Sequence, residues 1–282
     1  MRLFLAACVA TLLLTSAAHA LTAYVLPRDF SLEASETTAT VEAAYGDQFF
    51  APSIGLSSPD FRVVQPNGAR VGFAATDVNA QRGIYTLATQ NEGTYRVTTG
   101  EILGAVTTMV AVDGEWRPLA AGETPPEGAD TTTLQTATVA ETYITKVRPD
   151  AAAYATPVGR LAIVPVTHPN RVSLATGFEV QLLFDGQPMG NMAIVLYAAG
   201  DPETKLDRFV TTDANGHATF TFTQPGPYVA VVRHRTNAPE GAGVTVRSYT
   251  TSLAFEVLQT LPPIPPPPPE DRRRRNNDRW RF

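Results

Sequence analysis

The chain has 282 residues, with 22 Lys and Arg against 27 Asp and Glu and a single cysteine, Cys8. The stretch from Glu270 to Phe282 carries six Arg and three acids; without it and Arg2 the body holds 15 basic and 24 acidic residues, net −9. An acidic body argues against nucleic acid as a partner and mildly favours cations.

In chain order, Arg2 is the only charge among the first twenty residues, an apolar run follows from Leu3 to Leu14, and small residues end in Ala18-His19-Ala20. That is the order of an export signal with an A-x-A cleavage site. The run is too short to cross ~30 Å of hydrocarbon as a helix, which takes ~20 residues. Residues 1–20 therefore read as a cleaved signal. The mature chain starts near Leu21, is periplasmic or secreted, and has no transmembrane helix. Cleavage after Ala18 is the alternative and leaves His19 first. Cys8 leaves with the signal, since too little apolar chain precedes it for a lipoprotein site. The mature protein then has no disulfide, thiolate ligand or cysteine nucleophile. It must rely on its hydrophobic core, which this length supports as two domains.

From Leu21 on, strand signals dominate. "FRVVQPNGARVGF" reads as strand, turn, strand, with Asn67-Gly68 supplying the positive φ of a tight hairpin. "GIYTLAT", "TYRVTTG" and "AVTTMVAVDGEWRPL" continue the pattern, with Asp113-Gly114 as a turn. Gly122 to Asp130 is a loop. The Thr- and Ala-rich segment after it is ambiguous between helix and strand, and "TLQTATVAETYITKV" suits a strand joining the first sheet. "LAIVPV", "GFEVQLLFDGQPMGNMAIVLY" with its Asp185-Gly186 turn, and "SYTTSLAFEVL" are further strands. The fold class is all-β: two Ig-like or transthyretin-like β-sandwich domains.

The domains are residues 21–159 and 160–260, with a Pro-rich spacer and basic tail over 261–282. A weak repeat relates the halves, since Gly93-Thr94-Tyr95 and Gly226-Pro227-Tyr228 each lead into an alternating strand. Tyr95 and Tyr228 read as structural tyrosine corners, ring buried and hydroxyl bonded to nearby backbone. The prolines from Pro262 to Pro269 form a stiff polyproline II spacer of ~25 Å. The tail beyond cannot bury a core and reads as disordered. Its cluster of Arg272, Arg273, Arg274 and Arg275, with Trp280 and Phe282, suits docking to an anionic membrane surface or a partner protein.

Five segments, "AYVLPRDF", "GRLAIVPVTHP", "FEVQLLFDGQPM", "TTDANGHATFTFTQPGPYVAVVRHR" and "SYTTSLAFEV", resemble an exported family of unknown function also labelled a nickel-uptake substrate-specific region. The resemblance covers most of Tyr24 to Val257. It implies a periplasmic β-sandwich protein acting beside a metal or TonB-dependent uptake system, with a membrane uptake component or outer-membrane receptor as partner and nickel or cobalt as ligand. Family members commonly begin the mature chain with a His; here Leu21 holds that place.

Three histidines follow the signal: His168, His217 and His234. His168, before Pro169, reads as an exposed loop histidine. "TTDANGHATFTFTQPGPYVAVVRH" reads as a hairpin, which would set His217 roughly opposite His234 with Asp213 nearby. These residues are the candidate ligands for a divalent ion, which needs two or three converging groups. Two alternatives stand beside that: Asp213 orders its own turn, and His234, sharing a face with Tyr228, Ala230 and Val232, sits at the core edge. No H-E-x-x-H, G-x-S-x-G or phosphate-binding glycine loop is present, so the chain reads as no enzyme. The function expected is accessory binding in an uptake system. The alternative is an envelope interaction module that binds a protein or glycan without metal; an exposed aromatic strip on one sheet would favour it.

Overall fold

Short apolar runs interleaved with Thr and Ser and broken by Gly, Asn and Asp favour strands over helices. A computed structural model describes residues 21–154 and 156–266, and its regular structure is β apart from one short 3-10 turn at Ala152–Tyr154. The segment read as an export signal, with Cys8, and the arginine tail lie outside the described residues.

The strands of four residues or more are numbered here in chain order. The first half contains β1 (Thr22–Pro27), β2 (Thr38–Gly46), β3 (Ala75–Val78), β4 (Gly83–Ala88), β5 (Gly93–Thr98), β6 (Thr107–Val112), β7 (Glu115–Pro118) and β8 (Thr131–Lys146). The second half contains β9 (Leu161–Pro165), β10 (Phe178–Phe184), β11 (Ala193–Ala198), β12 (His217–Phe220), β13 (Gly226–Asn237) and β14 (Val246–Leu258). The two-residue turns joining Val112 to Glu115 and Phe184 to Gln187 have positive φ at both central residues: 52° and 83° at Asp113-Gly114, 53° and 74° at Asp185-Gly186. Asp-Gly tolerates that backbone, and its twist matches the flanking strands.

Three sheets result. One is ordered β1-β2-β4-β3. A second, smaller one places β10 between β9 and β12. The third is a thirteen-stranded sheet through both halves, whose central path runs β11-β13-β14-β8-β5 and continues into the hairpin of Arg62–Val64 and Arg70–Val71. Its seam is the parallel pairing of β8 with β14, from Leu134↔Val246 to Thr142↔Ala254. The ambiguous Thr-rich segment is thus one sixteen-residue strand, and it joins both halves of the sheet.

Successive side chains of β8 point to opposite faces of the sheet. Ala140 and Ile144 face one way, into a core with Ala23, Val25, Val41, Leu87, Tyr95 and Val97. Ala137 and Tyr143 face the other way, into a core with Phe178, Leu182, Phe220, Leu253 and Phe255. The first sheet therefore covers one face of the long sheet in the first half, and the small sheet covers the opposite face in the second. Each sandwich leaves one face of the other's sheet open, and these open faces carry the clefts described below.

Two buried arginines differ in their partners. Arg96 and Glu141 are 4 % and 3 % exposed and form a two-pronged pair, Nε to Oε1 at 2.8 Å and Nη2 to Oε2 at 2.7 Å. Burial disfavours the Arg96 charge, but the field of Glu141 outweighs it and holds the proton more tightly than usual. Arg247 is 6 % exposed, forms no ion pair among the described residues, and its Nε has no acceptor. Removing one partner of a buried pair strands the other charge, whereas replacing a buried ionic group by an apolar one of like volume tends to stabilise. Glu141→Ala is expected to lose about 3–5 kcal/mol in urea unfolding, and Arg96→Met with Glu141→Leu to recover most of it. Arg247→Met is expected to raise Tm; a fall would show that the guanidinium contributes stability where it lies.

Candidate functional site

The stretch from Thr211 to His234 is not a hairpin. β12 pairs with β10 in the small sheet, whereas β13 pairs with β11 and β14 in the long one. Residues 221–225 arch between the two sheets, so Phe222 meets Tyr228 with tilted rings at 5.2 Å and Phe255 edge-on at 5.9 Å, in the core that Phe220 shares. An alternating strand looks the same in sequence whether its partner is the next strand or the facing sheet, which is why the stretch reads as a hairpin. His217 and His234 consequently lie in different sheets. His217 Nδ1 is 3.0 Å from Glu179 Oε1 on β10. The His234 ring stands edge-on to Phe184, centroids 4.9 Å apart. Asp213 Oδ1 accepts from the backbone N–H groups of Asn215 at 2.8 Å and His217 at 2.9 Å, ordering its own turn. Among the described residues no group of three or more His, Cys, Asp or Glu side chains is placed to hold a metal ion.

His168, expected in an exposed loop, is half-buried where the two halves meet. Asn170 N–H donates to its Nδ1 at 3.1 Å. That leaves the proton on Nε2, which faces Thr94 Oγ1 at 2.9 Å and donates to the Asp150 carbonyl at 3.2 Å. Asn170 itself donates to the carbonyls of Phe30 and Tyr143 and accepts from Thr145 Oγ1. Burial, helped by the charge of Arg171, pushes the His168 pKa below its ordinary value, against the pull of Asp150. The start of the proline run is held near this junction: Pro262 O accepts from Arg171 Nη1 at 2.6 Å and Pro266 O from Arg148 Nη1 at 3.0 Å. Both tyrosines close corners, with Tyr95 Oη donating to Asn91 O at 2.7 Å and Tyr228 Oη to Gln224 O at 2.9 Å.

Each open face of the long sheet bears a cleft. On the face that carries Arg96, a cleft of about 360 Å³ is lined by Arg62, Arg70, Arg96, Asp60 and Thr98. Its guanidiniums are largely committed, Arg62 to Asp60 and Arg96 to Glu141.

The opposite face carries a longer groove. The register puts Arg235, Ser248 and Thr136 in one row across three strands, and Arg233, Thr250 and Thr138 in the next. These residues floor a cleft of about 340 Å³, walled by Leu21, Tyr45, Ile102 and Glu203. It runs on, through the shared Leu134 and Arg235, into a second cleft of about 180 Å³ lined by Met109, Trp116, Thr132 and Val246. The groove therefore has a hydroxyl- and charge-lined end and an apolar end. Trp116, on β7, is 48 % exposed. Among the described residues, two buried polar atoms without a hydrogen-bond partner, Thr132 Oγ1 and Glu203 Oε2, belong to groove-lining side chains. The sequence carries a sign of this surface. In "TATV" and "SYTT", hydroxyls at every second position, Thr136 and Thr138, Ser248 and Thr250, mark a polar face on the two strands.

Fold and groove together define an all-β sandwich protein whose shared central sheet bears an open cleft. The chain belongs to the family described as a domain of unknown function (DUF4198), whose sequence model matches residues 16–236. No curated protein sequence matches it. Similar solved structures include the D0-D1 domain of intimin, at 13% identity over 83% of this chain and 98% of that one, TM-score 0.20. An Escherichia coli alpha-2-macroglobulin activated by porcine elastase is 10% identical over 85% of this chain and 20% of its own, TM-score 0.22. The BSP domain of a biofilm associated protein is 11% identical over 82% and 29%, TM-score 0.19. Scores at this level do not establish a shared topology.

A histidine held neutral in the fold binds fewer protons than its unfolded counterpart, so stability rises with pH across its titration. The contribution of His168 is therefore complete above the unfolded pKa of ~6.5 and is lost as pH falls through its lowered folded value. Urea unfolding between pH 7.5 and 5 should show this loss, and His168→Gln should flatten the profile. An unchanged slope in the variant would remove His168 from the pH response.

Proposed function

We propose that this protein is an exported, non-enzymatic binding module of the cell envelope, and that its groove takes an extended segment of a partner protein. The observation that carries this reading is Trp116, exposed on β7 above an apolar cleft. β7 pairs only with β6 among the described strands. An unpaired edge offers backbone hydrogen bonds to an added strand, and pockets beside it select alternate side chains. The cleft lined by Met109, Leu134 and Val246 next to Trp116 suits one apolar anchor of the kind that dominates binding energy. The family resemblance adds the setting, in which the partner is a membrane uptake component or outer-membrane receptor.

A second reading, nickel or cobalt capture, keeps one supporting observation: the exposed pairing of His217 Nδ1 with Glu179 Oε1 at 3.0 Å. Two groups leave such an ion short of protein ligands.

A photo-crosslinking amino acid at position 116 is expected to join the exported protein to one discrete envelope protein, and the same probe at Arg28 to join it to none. Absence of a specific adduct at 116 would sink the partner reading. Glycan-array binding lost in Trp116→Ala would transfer the groove to carbohydrate. Calorimetric titration with nickel and cobalt tests the second reading: saturable binding abolished by His217→Ala would revive it.

A further inference from the structure

The polar end of the groove holds a carboxylate that is only half satisfied. Glu203 Oε1 accepts from Thr22 Oγ1 at 2.7 Å and pairs with Arg233 Nη2. Arg233 Nη2 also donates to Thr22 Oγ1. Glu203 Oε2 is buried and has no partner among the described residues. Burying half a carboxylate without a donor costs free energy, and the backbone that carries this one is anchored. Its N–H donates to Asp47 O at 2.7 Å, and its carbonyl accepts from Tyr197 Oη at 3.0 Å. The loop is pinned further by Phe49 N–H to Asp201 O at 3.0 Å. Glu203 lines the cleft that Leu21 also walls, and its other oxygen is bonded to the hydroxyl of Thr22, the residue after Leu21.

Leu21 is where the export-signal reading places the first residue of the mature chain. Cleavage after Ala20 converts the Leu21 amide nitrogen into an α-ammonium, a charged group with three donors, on a residue that lines the same cleft as Glu203 and adjoins Thr22. We propose that the Leu21 α-ammonium is the missing partner of Glu203 Oε2. Signal removal then completes a Leu21–Glu203–Arg233–Thr22 cluster and locks β1 into the fold. The carboxylate lies between two cations, one on each oxygen. Next to it β1 is already committed: Thr22 to Val25 are buried, and Ser252 Oγ donates to Ala23 O at 2.6 Å. The proposal rests on the export reading. In the precursor the same nitrogen is an uncharged amide inside a longer chain, so the lock would form only after processing.

The experiment uses the exported full-length chain and two versions of Leu21–Phe282 released from a cleavable fusion, one with a free α-amine and one acetylated there. Mass spectrometry of the exported chain should give Leu21 as first residue; any other first residue overturns the processing step. With the free terminus, Glu203→Gln should lower Tm by at least twice what it lowers it after acetylation. Reductive methylation of the α-amine should be at least tenfold slower than in Glu203→Gln. Equal Tm losses in both forms, or equal methylation rates, overturn the ion pair even when Leu21 is confirmed as the first residue.

Discussion

The parallel pairing of β8 with β14, and the alternation of side chains along β8, constrain everything else in this protein. A strand that feeds two cores from opposite faces has no tolerance for slippage. Moving its register by one residue would send Ala140 and Ile144 into the core built for Ala137 and Tyr143, and the reverse. The same alternation decides which surfaces stay open. Where the first sheet stops, the face carrying Thr136, Thr138, Ser248 and Thr250 meets solvent. Where the small sheet stops, the face carrying Arg62 and Arg70 does, with Arg96 buried beneath it.

The polar groups buried in the body gather where the halves meet. Glu141 on the seam strand holds Arg96. Asn170, from the second half, bonds Phe30, Tyr143 and Thr145 of the first. On another side, the loop after β11 reaches back to residues 47–49 through backbone hydrogen bonds, and Phe49 packs on Tyr197 with centroids 4.3 Å apart. Directional bonds of this kind fix one relative placement of two sandwiches that apolar packing alone would hold less specifically.

Local features were legible in the sequence. The Asp-Gly and Asn-Gly turns, the alternating strands and the Gly-x-Tyr corners follow from residue chemistry within a few positions. Features set by distant pairing were not. The arch from Phe220 to Tyr228 has the same pattern as a hairpin, so only the facing sheet reveals that His217 and His234 part company. His168 looked exposed because neither Thr94, 74 residues away, nor the backbone around Asp150 is near it in sequence. The groove drew no attention because its residues come from strands over 200 positions apart, although the alternating hydroxyls of β8 and β14 mark its floor.

The seam also governs how the chain must acquire its structure. Thr133 and Thr245 meet although they are 112 positions apart in the chain, so the central pairing is strongly non-local. Such contacts cost loop closure before they repay it, and they slow folding. Until Val246–Leu258 has emerged, β8 shows a bare edge along its parallel side, a template for pairing with another copy. The sheet can be completed only when the chain is present as far as Leu258. Wherever the chain folds, shielding of the β8 edge until Val246–Leu258 arrives would govern yield.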